Sequence, residues 1–231
     1  MSGPFRRVVI AIDGPAGAGK STIARRLANR LGFTYIDTGA MYRAVALWAA
    51  RQNVDAADMH RMEQLARAAD IGFEPAGERV LLNGEDVTAD IRMPEIGGLA
   101  SMVAAIPGVR RALVEKQRAL GARTSVIMEG RDIGTVVFPA ADVKVYLDAD
   151  TQERVNRRLR DFRDQGEAAS AEAIAAQIQE RDQRDRTRAE APLTQAPDAV
   201  YLDSTGRSLE QVEEEILKLV RARITNGKDF S

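Results

Sequence analysis

The sequence predicts an α/β fold in which helices cover both faces of a five-stranded parallel sheet, in three layers. Five short apolar, β-branched segments carry this prediction, at residues 8–12, 33–36, 124–128, 143–147 and 199–202. Segments of helical composition separate them, and this alternation is typical of parallel strands joined by helical crossovers. An acidic residue follows every apolar segment. Polar side chains therefore gather at the carboxyl edge of the sheet, where such folds bind ligands.

The composition and charge exclude several classes of function. The 231 residues have room for one α/β domain with insertions or for two small domains. A net charge of −1 gives no overall attraction to nucleic acid or to an anionic membrane. The chain has no cysteine and a single histidine, His60, so neither a thiolate metal site nor histidine-based catalysis is expected. It also lacks a membrane-spanning segment and a signal-peptide core. We expect a cytoplasmic protein whose partners include neither nucleic acid nor a membrane.

A phosphate-binding loop follows the first predicted strand. Residues 14–21 match G-x-x-x-x-G-K-[ST], between that strand and a helix predicted over about 20–31. The glycines let backbone N–H groups turn inward around an anion, and the start of the helix points at the same place. Lys20 can reach the β- and γ-phosphates of a nucleoside triphosphate, and the Ser21 hydroxyl can ligate Mg²⁺. The residues predicted to bind the triphosphate are Gly14, Pro15, Ala16, Gly17, Ala18, Gly19, Lys20, Ser21 and Thr22.

An inserted unit interrupts the alternation after the second strand. A helix is predicted over residues 40–52 and another over 58–69, followed by short strands at 71–73, 79–82 and 85–87. Asn83-Gly84, between two of these strands, is a strong signal for a hairpin turn. Because a parallel α/β domain needs no such hairpin, we interpret residues 58–93 as an inserted subdomain, with 1–57 and 94–231 forming the core.

The rest of the chain returns to alternating helices and strands. Helices are predicted over residues 94–105, 108–120, 151–165, 171–191 and about 208–224. Pro107 separates the first two of these, and Gly121 ends the second. Ser208, with Glu210 and Gln211 close behind it, is typical of a capped helix start.

Arginines form the second notable pattern. On the helix predicted over 171–191, Arg181, Arg184, Asp185 and Arg188 follow i, i+3, i+4, i+7 spacing and so share one face. Spacing alone favours a solvated face with internal ion pairs. The phosphate-binding loop instead favours a lid whose arginines gather around a transferring phosphoryl group. Three more arginines lie where an acceptor would sit and suggest a second phosphate site: Arg43, Arg110 and Arg131.

These segments resemble the bacterial cytidylate kinases, a family of P-loop nucleoside monophosphate kinases. The resemblance is carried by residues 14–22, 37–43, 129–139, 180–193 and 203–205, and extends over nearly the whole chain. It implies a P-loop NTPase-type core, an NMP-binding insertion that corresponds to residues 58–93, and a mobile helical lid at about 160–192. It also implies transfer of the γ-phosphoryl group of ATP to CMP or dCMP with Mg²⁺. We expect a monomer.

Matching motifs carry the family's site residues onto this sequence. The cytosine base would be read by Ser101, Arg110 and Asp132. The sugar hydroxyls would be held by Arg181 and Asp185, and the acceptor phosphate by Arg43, Arg131 and Arg188. The predicted CMP-binding set is completed by Thr38, Tyr42 and Gly130. The predicted catalytic residues are Lys20, Arg131, Arg184 and Arg188.

The carboxylate that supports Mg²⁺ stays open at this point. Glu129 stands where many members of the family have Asp, and three other strand-ending carboxylates are available: Asp37, Asp148 and Asp203. The sequence alone does not identify which of these four carboxylates supports Mg²⁺.

Three alternative functions compete with this prediction. The first is another small-molecule P-loop kinase, acting on UMP, AMP or a phosphate-free acceptor. The second is a nucleotide-dependent switch, but no Asn/Thr-Lys-x-Asp segment for reading guanine follows a strand. The third is an arginine-rich nucleic-acid binder, which the net charge of −1 and the intermixed acidic residues disfavour.

Overall fold

A computed structural model describes residues 7–74, 79–164, 166 and 168–225. Its main sheet has five strands: β1 (Val9–Asp13), β2 (Thr34–Asp37), β6 (Val126–Gly130), β7 (Val143–Asp148) and β8 (Val200–Asp203). The order across the sheet is β2-β6-β1-β7-β8, and every pair is parallel. The predicted fold class is confirmed. Each strand extends onto the acidic residue that follows its apolar segment, because backbone pairing continues past the last apolar side chain.

Eight α-helices occur in the described part of the chain: α1 (Lys20–Leu31), α2 (Thr38–Arg51), α3 (Met59–Ala68), α4 (Pro94–Val103), α5 (Pro107–Gly121), α6 (Thr151–Asp164), α7 (Ala171–Thr187) and α8 (Leu209–Thr225). The cap predicted for the last helix is confirmed: the Ser208 N–H donates to Gln211 Oε1 at 2.9 Å, and the Gln211 N–H donates to Ser208 Oγ at 3.3 Å. None of the helices in the described residues is long and apolar enough to cross a membrane.

Alternate residues of β1 face the two helical layers. Ile10 and Ile12 pack in a buried cluster with residues of α1 and α8, including Ile23 and Ile216. Ala11 faces the opposite side, in a cluster that includes Val114 of α5 and Ile133. The sheet is therefore covered on both faces, which explains why its central strands are continuously apolar.

A second, three-stranded antiparallel sheet contains β3 (Ile71–Phe73), β4 (Val80–Leu82) and β5 (Glu85–Asp86). The predicted hairpin is confirmed: Asn83 and Gly84 both have positive φ, at 52° and 85°, as its two-residue turn requires. This sheet packs in one core with α2, α3, α4 and α5, so its hydrophobic contacts extend outside residues 58–93. The boundary of the inserted subdomain stays a prediction.

Helix α7 is shorter than predicted. The helix expected over 171–191 ends at Thr187, Arg188 is extended with ψ 144°, and Ala191 has φ 51°. Pro192 disfavours a helical conformation at Ala191, the residue before it, but the helix already ends four residues earlier. The Leu193 N–H instead turns back to the Asp185 carbonyl at 2.8 Å. Arg188 is thus placed by a turn, and the prediction that it belongs to a helical face was wrong.

A π-helix at Ile133–Val137, separated from β6 by Arg131 and Asp132, was not predicted. Some predicted ranges extend outside the described residues: 1–6 and 226–231 at the ends of the core, 75–78 in the insertion, and Gln165 at the end of the helix expected over 151–165.

Candidate active site

The phosphate-binding loop occupies the turn between β1 and α1. Gly14, Gly17 and Gly19 all have positive φ, at 148°, 78° and 91°. Gly14 also leaves no room for a side chain, since a Cβ there would lie 1.9 Å from the Leu147 carbonyl oxygen. The Lys20 ammonium is buried and donates to the Pro15 carbonyl at 2.7 Å. The loop therefore encloses its own lysine.

Burial controls the charge of Lys20. Desolvation, followed by the nearby Arg131 guanidinium, lowers the pKa of Lys20 to about 7, against the opposing attraction of Glu129. Glu129 is also buried, and desolvation together with Asp37 raises its pKa. The Tyr35 hydroxyl donates to Glu129 Oε1 at 2.7 Å. Burial therefore disfavours the charged forms of both the lysine and the carboxylate beside the loop.

Beside the loop lies a pocket that contains all eleven residues predicted to bind CMP. They are Thr38, Tyr42, Arg43, Ser101, Arg110, Gly130, Arg131, Asp132, Arg181, Asp185 and Arg188. Four small residues that sequence reasoning missed complete the lining: Gly39, Gly97, Ala100 and Ala104. The last three lie on or next to α4 at helical spacing, a pattern that could have indicated a face left open for a ligand.

The pocket is cationic but internally paired. It is lined by five arginines and two aspartates, a formal excess of three positive charges. Arg110 donates to Asp132 Oδ2, and the two side chains are only 3% and 7% exposed. Arg131 Nε donates to Asp185 Oδ2 at 2.8 Å. Arg188 Nη2 lies 3.5 Å from Asp132 Oδ1.

Several guanidinium groups in the pocket keep unused hydrogen-bonding capacity. Arg43 Nε, Arg110 Nε and Arg188 Nη2 are buried and have no hydrogen-bond partner among the described residues. Burial, followed by the neighbouring Arg131, lowers the pKa of Arg181 to about 10. Buried donors without partners are unfavourable, so an incoming anion would relieve both the unsatisfied hydrogen bonds and the mutual repulsion.

The comparisons with known proteins agree with this geometry. A family model described as cytidylate kinase matches residues 10–222. The chain belongs to the cytidylate kinase family. It is 66% identical over 228 residues to the cytidylate kinase of Solibacter usitatus (strain Ellin6076), covering 98% of this chain and 97% of that one. It is 50% identical to the cytidylate kinase of Geobacter sp. (strain M21), covering 95% of each.

A solved structure shares the fold of this cytidylate kinase family member at much lower identity. It is an uncharacterized protein from Eubacterium ventriosum ATCC 27560, with a TM-score of 0.54 and 11% identity, and it covers 94% of this chain and 100% of that chain. The family predicted from the sequence, and with it a kinase that phosphorylates CMP from ATP, is confirmed.

Arg184 takes a different position from the other predicted residues of the cytidylate kinase site. It does not line the pocket; Nη1 donates to Ser101 Oγ at 2.7 Å, and Nη2 pairs with Glu180. Its contact joins α7 to α4 at Ser101, which lines the pocket. The prediction that Arg184 is catalytic stays a prediction.

Two arginines of α6 that sequence reasoning missed hold the loop of this cytidylate kinase from outside. Arg154 Nη1 donates to the Ala16 carbonyl at 3.1 Å and to Asp182 of α7 at 2.6 Å. Arg157 Nη1 donates to the Ala18 carbonyl at 3.1 Å and to Ser204 Oγ at 3.0 Å. Their signal in the sequence is an arginine pair spaced i, i+3 in a helix that follows a strand end.

Proposed function

We propose that this member of the family transfers the γ-phosphoryl group of ATP to CMP and to dCMP, using the eleven pocket residues for the acceptor and residues 14–22 for ATP. The single observation that carries the proposal is the buried Arg110–Asp132 pair in a cationic pocket whose Arg131 lies near Lys20. The pair supplies selectivity for the base, and the surrounding arginines supply affinity for the phosphate.

The Arg110–Asp132 pair complements the edge of cytosine. Cytosine offers an amino donor next to two acceptors, and Asp132 offers an acceptor next to the donors of Arg110. Both side chains are buried, so a base that mismatches them loses hydrogen bonds without compensation from water. Uracil places a carbonyl where cytosine has its amino group, and this carbonyl would face the Asp132 carboxylate. Such a mismatch opposes UMP.

The phosphates meet between Lys20 and Arg131. Arg131 is close enough to Lys20 to lower its pKa, so an acceptor phosphate held by Arg43, Arg131 and Arg188 would lie next to a γ-phosphate held by Lys20. The acceptor oxygen of a phosphate monoester is already an anion at neutral pH, so it can attack the γ-phosphorus without a general base, and ADP leaves. Catalysis then depends on positioning and on neutralising charge.

The chemistry of the loop fits Mg²⁺. Ser21 offers a hydroxyl, and of the four carboxylates left open by the sequence, Glu129 is the one that interacts with both Ser21 and Lys20. Asp37 lies opposite Glu129 in the register of the parallel strands β2 and β6, and its carboxylate supplies a second hard oxygen donor. We propose that these residues would hold the ion together with the ATP phosphates. When bound, Mg²⁺ supplies neutralisation of charge on the transferring group.

A lid formed by the end of α6 and by α7 would complete the site. Ile174 and Ile178 of α7 pack against Val155 of α6 in a small core of their own, which joins the lid to the first turns of α6. Arg181 and Asp185 reach the pocket from α7, where they would hold the sugar hydroxyls. We place the lid at about residues 160–192 and the NMP-binding insertion at 58–93. A cytoplasmic monomer that binds neither nucleic acid nor a membrane is part of the same proposal.

An acceptor panel tests the proposal. ADP release would be compared for CMP, dCMP, UMP and AMP in a coupled assay, for the wild-type chain, for Asp132→Asn, and for Asp86→Asn on the exposed hairpin as control. We expect CMP and dCMP to lead. Asp132→Asn should lower kcat/KM for CMP by about 10- to 100-fold, because the new amide group opposes the cytosine amino group. Equal turnover of UMP and CMP by the wild-type chain would refute the assignment.

A further inference from the structure

Asp13 is a buried carboxylate that no function assigned above uses. It is the last residue of β1, directly before Gly14, and only 6% exposed. Its Oδ1 accepts the Ile133 N–H at 2.8 Å, and its Oδ2 accepts the Gly134 N–H at 2.7 Å. Both oxygens therefore accept hydrogen bonds from the two amides that immediately follow Asp132.

Those amides open the π-helix that follows β6. The Asp132 carbonyl accepts the N–H groups of Val136 and Val137, at 2.9 and 3.1 Å. At the other end, Arg118 donates to the carbonyls of these two residues, at 2.7 and 3.0 Å. An anion thus sits at the amide end and a cation at the carbonyl end, which matches the backbone dipoles. The π-helix is held from outside at both ends.

The arrangement is unfavourable for Asp13 itself. No lysine or arginine among the described residues hydrogen-bonds or pairs with it. Burial is the largest influence on this carboxyl and raises its pKa to about 6, while the nearby Asp132 repels it and Lys20 attracts it. Without a paired cation, the charged form of a buried carboxylate destabilises the fold, and this form predominates above about pH 6 for Asp13. Its two hydrogen bonds must therefore serve another purpose.

The position of Asp13 supplies that purpose. We propose that Asp13 is a positioning residue that ties segment 131–134, which carries Arg131 and Asp132, to the start of the phosphate-binding loop. The tie sets the distance between acceptor and donor. The proposal rests on the acceptor role given above to Arg131 and Asp132.

The packing around Gly134 shows how close the tie is. A Cβ on Gly134 would lie 3.1 Å from Lys144 Cδ and 3.3 Å from Asp13 Oδ2. The amide reaches the carboxylate because a glycine occupies this position between two side chains. A displacement of about 1 Å in a phosphoryl-transfer site lowers the rate about 100-fold, so small changes here should be visible in the kinetics.

Asp13→Asn tests the proposal, because Asn has nearly the same size but only one oxygen that can accept. The matched control is Asp142→Asn: Asp142 Oδ2 accepts the Val9 N–H at 2.9 Å at the opposite end of the same strand, away from both loops. Three quantities would be measured for each variant: kcat and KM with CMP varied, KM with ATP varied, and hydrogen exchange at the Ile133 and Gly134 amides.

We expect Asp13→Asn to lower kcat/KM for CMP by about 10- to 100-fold, to leave KM for ATP within about twofold, and to speed exchange at both amides. Asp142→Asn should do none of these. An unchanged kcat/KM for CMP, or an equal loss in ATP affinity, would overturn the proposal. If Asp13→Asn does not fold, Gly134→Ala displaces the same amide while keeping the carboxylate, and the same split between CMP and ATP is expected.

The exchange measurement separates this proposal from the proposed function. If the wild-type chain does not phosphorylate CMP, the proposed function fails, while protected amides at 133 and 134 that Asp13→Asn exposes would still support the tie. If CMP is phosphorylated and these amides exchange equally in both chains, the tie fails alone.

Discussion

Binding of ATP should take up a proton at Lys20. In the ligand-free protein burial lowers the pKa of this lysine to about 7, and its ammonium donates to the loop's own Pro15 carbonyl. The triphosphate brings several negative charges to the ammonium, and nearby opposite charge raises the pKa of a lysine. The lysine should therefore be partly neutral before binding and fully charged afterwards.

The size of this effect depends on pH. With a pKa of about 7 in the free protein, only about one tenth of the molecules carry a charged Lys20 at pH 8, and about nine tenths do at pH 6. Binding should take up about 0.9 proton per ATP at pH 8 and about 0.1 at pH 6. Above pH 7, affinity for ATP should fall by up to about tenfold per pH unit from this group.

Calorimetry can measure the proton directly. The binding enthalpy of a non-hydrolysable ATP analogue with Mg²⁺ would be determined at pH 8 in buffers with different ionisation enthalpies, whose slope gives the protons taken up. Lys20→Met is the control and should show almost no uptake. Uptake below about 0.3 proton in the wild-type chain would refute the reasoning. Equal uptake in Lys20→Met would assign the proton to another group, with Glu129 the nearest candidate.

Three further predictions concern stability. Gly14→Ala should lower the free energy of unfolding by about 3 kcal/mol, because φ is 148° and the Leu147 carbonyl blocks the Cβ. Gly84→Ala, at φ 85° with open space around it, should lower it by only about 1 kcal/mol. Urea unfolding that ranks the two variants the other way would contradict this. In the folded protein the pKa of Asp13 is about 6, above its ordinary 3.8, so its contribution to stability is lost as pH rises through 6. Between pH 5 and pH 7 the free energy of unfolding of the wild-type chain should fall by about 1.3 kcal/mol more than that of Asp13→Asn. Parallel pH profiles of stability for the two chains would disprove the assignment. Asp182→Ala leaves Arg154 buried without its carboxylate and should destabilise the protein by about 3 kcal/mol. Thermal unfolding measures this effect, with Asp86→Ala at an exposed position as the control. Equal melting temperatures for Asp182→Ala and the wild-type chain would show that the pair contributes nothing.

Features that depend on neighbours in the sequence were predictable from it. The P-loop is one, because its glycines, Lys20 and Ser21 act within a single turn between a strand and a helix. The Asn83-Gly84 hairpin is another, since two consecutive positive φ angles are a local requirement. The five parallel strands followed from apolar segments that must be buried on both faces.

The tertiary structure decided the features that join distant parts of the chain. Arg110 and Asp132 are 22 residues apart, and no periodicity indicates that they form one buried pair. Arg188 reaches the pocket from an extended residue after α7, because the helix ends sooner than the spacing of its arginines suggests. The contacts of Arg154 and Arg157 with the loop also cross from one element to another.

Asp13 shows the difference most clearly. The sequence by itself determined that an acidic residue ends the first strand, and that a loop for phosphate begins after it. Nothing in it indicated that this carboxylate accepts hydrogen bonds from the N–H groups of Ile133 and Gly134, which are 120 and 121 residues away. Hydrophobic patterns determine which residues are buried, but hydrogen bonds between loops depend on how neighbouring strands are ordered and registered. Only the folded sheet, which pairs Asp13 with Gly130, brings the two substrate-binding segments together.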